Sequence, residues 1–173
     1  MQNLKNKTVL ITGGARGIGK QIALEFAKQS ANIIICDLDE SFFDENNFKS
    51  NIQDIKNLGV SCWGYNLDIT KYDDIVITRD KILSDIGKID ILVNNAGVVF
   101  GGKFLDIPIN QHQLTYNVNT QGTVNMLHVF LQDLIDQKES HIINIASASG
   151  FTALPNGTTY ASSKAAVSSL SES

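Results

Sequence analysis

An α/β fold, a doubly wound parallel sheet with helices on both faces, follows from three features of this sequence. Short Ile/Val-rich runs alternate with segments of helical periodicity along the whole chain. The runs are apolar almost without interruption, as strands covered on both faces are. A glycine cluster joins the first run to the first helical segment. Such alternation implies right-handed crossovers, and the expected strand order is 3-2-1-4-5.

Thr8 to Ile11 is the first predicted strand. Ile18, Ile22 and Phe26 recur every four residues and mark one face of the first helix. Ile33 to Cys36 is the second strand, and Val60 to Asn66 is a weaker run expected at a sheet edge. Ile75, Ile82 and Ile86 lie at turn-compatible spacings on the next helix, which leads to a strand over Ile89 to Val93. Leu114 through Ile135 reads as one long helix, Ile142 to Ala146 as the fifth strand, and Thr159 onward as a last helix. The only prolines, Pro108 and Pro155, fall in loops, and no linker, repeat or low-complexity tract divides the chain. Residues 1–173 are therefore expected to form a single domain.

Bulk composition narrows the function classes. With 173 residues, 43% hydrophobic and 18% charged, the chain is long and apolar enough for a substantial core. A net charge of −4 without a basic stripe gives no electrostatic case for nucleic acid. Two cysteines, Cys36 and Cys62, make a disulfide framework improbable and point to a reducing, cytoplasmic setting. The polar Met1 to Lys7 stretch leaves no room for a signal peptide, and no apolar run reaches the roughly 18 residues that span a bilayer. The glycosylation-like matches at Asn6 and Asn156 are then chance.

Thr12-Gly13-Gly14-Ala15-Arg16-Gly17-Ile18-Gly19 sits between the first strand and the first helix. Glycine there allows a tight turn and lets a pyrophosphate approach backbone amides with no Cβ in the way. A helix starting near Gly17 would aim its partial positive end at the phosphates. The spacing is Gly-x-x-x-Gly-x-Gly rather than Gly-x-Gly-x-x-Gly, so the match to the general dinucleotide fingerprint is imperfect. Gly14-x-x-x-x-Gly19-Lys20 also fits most of a P-loop, but Gln21 lacks the hydroxyl that would hold magnesium.

Asp37 closes the second strand, where a carboxylate can accept from the adenosine ribose hydroxyls. It would also repel a 2′-phosphate, which favours NAD over NADP; Arg16, a cation in the turn, argues weakly for NADP. A solvated strand-end acid is the ordinary alternative, with Asp39 and Glu40 beside it. The acidic group from Asp39 to Glu45 reads as a solvated loop, and Trp63 as a packing residue.

With these motifs in order, the chain resembles the short-chain dehydrogenase/reductase family from about Lys7 onward. Thr12-Gly-x-x-x-Gly17-x-Gly19 is similar to that family's own glycine pattern, in which Gly13, Arg16, Gly17, Ile18 and Gly19 face the cofactor. The resemblance implies that Asp68 contacts the adenine, that Asn95, Ala96 and Gly97 back the cofactor, and that Asn119 is the active-site asparagine. Asn117 is two residues off that register. Ser147 and Tyr160 stand at the family's interval for its catalytic pair, and Tyr160-x-x-x-Lys164 completes the set. Gly97-Val98-Val99, Lys103-Phe104-Leu105-Asp106 and Ile145-Ala146-Ser147 are further similar to retinol and hydroxysteroid dehydrogenases. The fold implied is Rossmann-type.

The residues suit the chemistry. Carbonyl reduction needs hydride at carbon and a proton at oxygen, and nicotinamide supplies the hydride. Tyr160 and Lys164, four apart, share a helix face, and an ammonium there would stabilise the phenolate. Ser147 falls at the carboxyl end of its strand, where open α/β sheets bind ligands, and can orient the substrate oxygen. The resemblance further implies that Lys164 binds the nicotinamide ribose and that Asn119 holds a water relaying protons to Lys164. An alcohol or ketone substrate and NAD are the expected partners. His112, His128 and His141 show no metal-ligand spacing and are assigned to surface or core.

The chain ends part-way along its last helix, whereas family members continue, so a fragment lacking C-terminal strands is expected. At full length the resemblance implies a homo-dimer or tetramer built through the Leu114 to Ile135 and Tyr160 helices. A non-catalytic dinucleotide-binding or interaction protein, and an epimerase or dehydratase using the same Tyr-x-x-x-Lys pair, stay open as alternatives.

Overall fold

The computed structural model describes residues 4–39, 41, 51–152 and 154–173. Five strands, β1 (Thr8–Thr12), β2 (Asn32–Asp37), β3 (Cys62–Asn66), β4 (Ile91–Asn94) and β5 (His141–Asn144), form one sheet in the order 3-2-1-4-5. Every pairing is parallel, and β1 is central, with Thr8 opposite Asn32 and Val9 opposite both Ile33 and Ile91. Among the described residues five α-helices lie between the strands, α1 (Gly17–Lys28), α2 (Asn51–Lys56), α3 (Tyr72–Ile86), α4 (Ile109–Tyr116) and α5 (Thr123–Ile135), and α6 (Thr158–Glu172) follows β5. This is the Rossmann-type arrangement the sequence predicts.

Side chains alternate across the strands and feed two cores. Leu10, Ile34 and Leu92 pack with Ile75 and Ile82 of α3 and with Met126, Phe130 and Leu134 of α5. Val9, Ile11, Ile33, Ile35 and Val93 face the other way, onto Ala23 and Ala27 of α1 and Ile52 and Ile55 of α2. β3 is an edge strand, as its weaker apolar run suggests. β5 forms the opposite edge; Ile142 and Ile143 are 38% and 37% exposed.

Two local expectations need correction. Of the Ile18, Ile22 and Phe26 stripe, Ile22 and Phe26 pack half-buried against the second core but Ile18 is 68% exposed, and the fully buried residues of α1 are Gly19, Ala23 and Ala27. Close approach of a helix to a turn selects small side chains, so the innermost positions are not the bulkiest ones. The long helix begins at Ile109, directly after Pro108, and is not uniform; a π-helical stretch, Asn117–Gly122, separates α4 from α5. Of the acidic group from Asp39 to Glu45, Glu40, Asp44 and Glu45 lie outside the described residues. Asp39 accepts from the Ser41 backbone amide at 3.1 Å and from its hydroxyl at 2.6 Å. Trp63 packs against the first core, half-buried.

At the other end of the sheet Asp90, 1% exposed, ties β1 to β4. It accepts from the Thr8 amide at 2.9 Å, from Lys88 Nζ at 2.7 Å and from Lys7 Nζ at 3.4 Å. Burial pushes its pKa up, but the Lys88 and Thr8 donors and the two ammonium charges outweigh it and hold the carboxyl below its ordinary value. Its stabilising contribution is therefore present above the ordinary carboxylate pKa and is lost as pH falls through the lowered folded value. Asp90→Asn is expected to cost about 1–3 kcal/mol at neutral pH. Denaturant unfolding at pH 7 and pH 3 checks this: the difference between wild type and variant shrinks at the lower pH.

Candidate active site

The carboxyl ends of the central strands open into a crevice of about 500 Å³. Its floor is the turn after β1. Gly13 has φ +64 and hydrogen-bonds through its amide to the Cys36 carbonyl at 2.8 Å. A Cβ on Gly13 would stand 2.9 Å from Ala96 Cα, and one on Gly19 would collide with the Gly13 carbonyl oxygen. Gly17, at φ +57, has open space around it; its backbone angle, not crowding, favours glycine there.

The segment after β4 locks this turn in place. Thr12 Oγ1 accepts from the Asn95 and Ala96 amides, each at 3.1 Å, while Asn95 Nδ2 donates to the Thr12 carbonyl at 2.9 Å and the Gly13 carbonyl at 3.0 Å. Asp37 closes the turn from β2: its Oδ2 accepts from the Ala15 amide at 2.9 Å and its Oδ1 from the Leu38 amide at 2.8 Å. Each oxygen keeps a lone pair for a ligand hydroxyl. Asp68 Oδ1 accepts from the Thr70 amide and hydroxyl at 3.0 and 2.7 Å, a turn leading into α3. α1 starts after Arg16 without a side-chain cap, so its first-turn amides are left for an anion. Glycines that a Cβ would overfill, uncapped amides and a carboxylate at the end of β2 together fit a dinucleotide.

The other wall brings together Ser147, Tyr160 and Lys164. Ser147 follows β5 and accepts from the Ser149 amide at 3.2 Å, leaving its hydroxyl hydrogen to donate outward. Tyr160 lies half-buried in the first turn of α6, and Lys164, 5% exposed, one turn further on. Lys164 Nζ donates to the Ile145 carbonyl at 2.6 Å. Burial lowers the Lys164 pKa below its ordinary 10.5. The unfolded chain thus holds that proton more tightly, and the group's effect on stability improves as pH rises through the interval.

Gly17 and Asn119 do not line the crevice; the other predicted residues do: Gly13, Arg16, Ile18, Gly19, Asp37, Asp68, Asn95, Ala96, Gly97, Ser147, Tyr160 and Lys164. Asn119 is fully buried behind it, in the π-helical stretch. Its Oδ1 accepts from the Val98 amide at 2.8 Å, and its Nδ2 donates to the Val98 carbonyl at 2.9 Å and Ser163 Oγ at 3.0 Å. With both amide hydrogens so engaged, the side chain braces the wall against α6. Sequence reasoning named Thr12 in the motif without its role in ordering the turn, and missed the apolar residues Leu38, Leu67 and Ile69. The last three flank Asp37 and Asp68, and that adjacency was the available signal.

Against known proteins, the short chain dehydrogenase family matches residues 7–173. The chain belongs to that family. A relative described as an uncharacterized oxidoreductase of Staphylococcus saprophyticus is 33% identical over 172 residues, covering 99% of this chain and 72% of that protein. A short-chain dehydrogenase/reductase from Burkholderia phymatum, solved in complex with NAD, superposes with a TM-score of 0.88 at 29% identity, over 99% of this chain and 60% of that one. NAD+-bound xylitol dehydrogenase gives 0.90 at 28% identity, over 99% and 64%. The chain therefore spans under two thirds of these solved structures.

The two helix-start glycines should respond differently to alanine. Gly19→Ala forces the turn apart and is expected to cost about 1–3 kcal/mol. Gly17→Ala meets only backbone strain, about 1 kcal/mol. Urea unfolding of the two variants ranks them, with Gly19→Ala the less stable.

Proposed function

We propose that this chain forms the dinucleotide-binding and catalytic part of an NAD-dependent dehydrogenase or reductase acting on an alcohol or ketone. The supporting observation is that the glycine turn, Asp37 and the Ser147, Tyr160 and Lys164 group line one crevice. Bound nicotinamide supplies or accepts the hydride. Ser147 donates a hydrogen bond to the substrate oxygen and aims it at Tyr160. Tyr160 gives that oxygen its proton in reduction and takes it back in oxidation. Lys164 holds the nicotinamide ribose and, when protonated, favours the phenolate. Asn119 keeps the Val98 segment and α6 at fixed separation, and the second lone pair of its Oδ1 would hold the relay water.

Asp37 receives the adenosine ribose and Asp68 the adenine, while Asn95, Ala96 and Gly97 back the cofactor. Pairing into a dimer or tetramer uses α5 and α6; Leu131 and Ile135 on α5 are 41% and 62% exposed. No helix among the described residues is long and apolar enough to cross a membrane. Cytoplasmic residence is our reading of the low cysteine content, with Cys36 and Cys62 both buried.

Two measurements test the assignment. Tyr160→Phe removes the transferable proton and should lower turnover about 10²-fold or more while leaving NADH affinity nearly intact, read by steady-state kinetics and fluorescence titration. Normal turnover in that variant defeats the mechanism. Asp37→Ser removes the charge that excludes a 2′-phosphate, so the NADH-to-NADPH affinity ratio should fall about tenfold.

A further inference from the structure

Three segments meet on His112, which the proposed function leaves without a role. The imidazole is buried on α4. Its Nδ1 hydrogen-bonds with Thr159 Oγ1, its Nε2 lies 3.1 Å from the Phe104 carbonyl oxygen, and its ring rests against the Phe104 ring with centroids 4.6 Å apart. A carbonyl oxygen only accepts, so Nε2 carries the hydrogen. In the neutral ring Nδ1 is then bare and accepts from the Thr159 hydroxyl. Both bonds thereby have a fixed direction.

Thr159 is buried and immediately precedes Tyr160 in the first turn of α6. That helix is entered from Gly157 with no side-chain cap. First-turn amides have no intrahelical acceptor, and an uncapped start is where a helix frays. Tyr160 is thus mounted on a first turn that no side chain caps. Lateral bonds follow further along, between Ser162 and the Tyr116 hydroxyl at 2.7 Å and from Asn119 Nδ2 to Ser163 Oγ at 3.0 Å. The His112 bond holds the entering turn itself.

We propose that His112 is a positioning residue for Tyr160. Through Thr159 it fixes the first turn of α6 against α4 and the Phe104 segment, and so sets where the phenol meets the substrate oxygen. This rests on the catalytic reading of Tyr160 above. The role is mechanical: a displaced phenol would leave the glycine turn and Asp37 on the opposite wall untouched, and Lys164 lies one turn further along α6.

Thr159→Val removes the hydroxyl while keeping the side chain's shape. Expected is a fall in kcat of about tenfold or more, since small misplacements of reacting groups are costly. NADH affinity and KM should stay within about twofold of wild type. Thr159→Ser, which restores the hydroxyl, recovers most of the loss. His112→Leu lowers kcat similarly, and the His112→Leu, Thr159→Val double variant is no slower than His112→Leu alone, because the two act as one unit. A residue that merely packs would lower the melting temperature without this separation of kcat from KM. Wild-type kcat in Thr159→Val, no recovery in Thr159→Ser, or losses that multiply in the double variant would overturn the proposal. Should His112→Leu fail to fold, the two Thr159 variants decide alone. Tyr160→Phe assayed alongside separates the failures: if it is inactive while Thr159→Val is normal, only the positioning role falls. If Tyr160→Phe also turns over normally, the catalytic reading falls with it.

Discussion

The site depends on one junction, where the turn leaving β1 is clasped by the segment leaving β4. Thr12 receives two amides from that segment, and Asn95 returns two hydrogen bonds to the carbonyls of Thr12 and Gly13. The exchange leaves little free backbone polarity at the bottom of the crevice and pulls Gly19 against the Gly13 carbonyl. No side chain fits there, so the α1 terminus sits directly over the strand ends. Asp37 completes the clasp from β2 through the Ala15 amide. A carboxylate suited to a ribose is therefore also a structural bond of the turn.

The opposite wall is built on a different principle. It is held by side chains passing between helices, because α6 has no cap to define its start. Asn119 reaches Ser163 and Val98 from within the π-helical stretch, where a widened turn displaces the helical register. Thr123 Oγ1 donates to the Asn119 carbonyl at 2.9 Å. α6, which carries Tyr160 and Lys164, is thus held by α4 and the π-helical stretch as well as by its own backbone bonds.

Much of this was legible in the sequence, for physical reasons that differ by element. Parallel strands covered on both faces declare themselves as unbroken Ile/Val runs, which fixed β1, β2 and β4 and, through its weakness, the edge position of β3. The motif residues were legible because turn geometry restricts residue type at Gly13 and Gly19. Periodicity placed Ile22 and Phe26 of α1 against the core but misplaced Ile18, since it weighs bulk and cannot register that close packing prefers Gly19, Ala23 and Ala27. The π-helical stretch left no trace, because Val118, Asn119 and Thr120 are compatible with an ordinary helix. Nor could spacing show that Asn95 spends its side chain on the turn, or that Asn119 faces inward behind the wall.

Several departures from local preference lie in the crevice wall or directly behind it. A lysine is buried with one carbonyl partner among the hydrogen bonds it donates, although burial disfavours its charge. A helix is widened at a fully buried asparagine. Gly13 adopts positive φ, and Gly19 occupies a helix position where alanine would be intrinsically better. Positive φ also occurs away from the crevice, at Asn6 and Ser30, so backbone strain alone does not mark it. The buried lysine and asparagine do, because packing alone would favour apolar side chains at both positions.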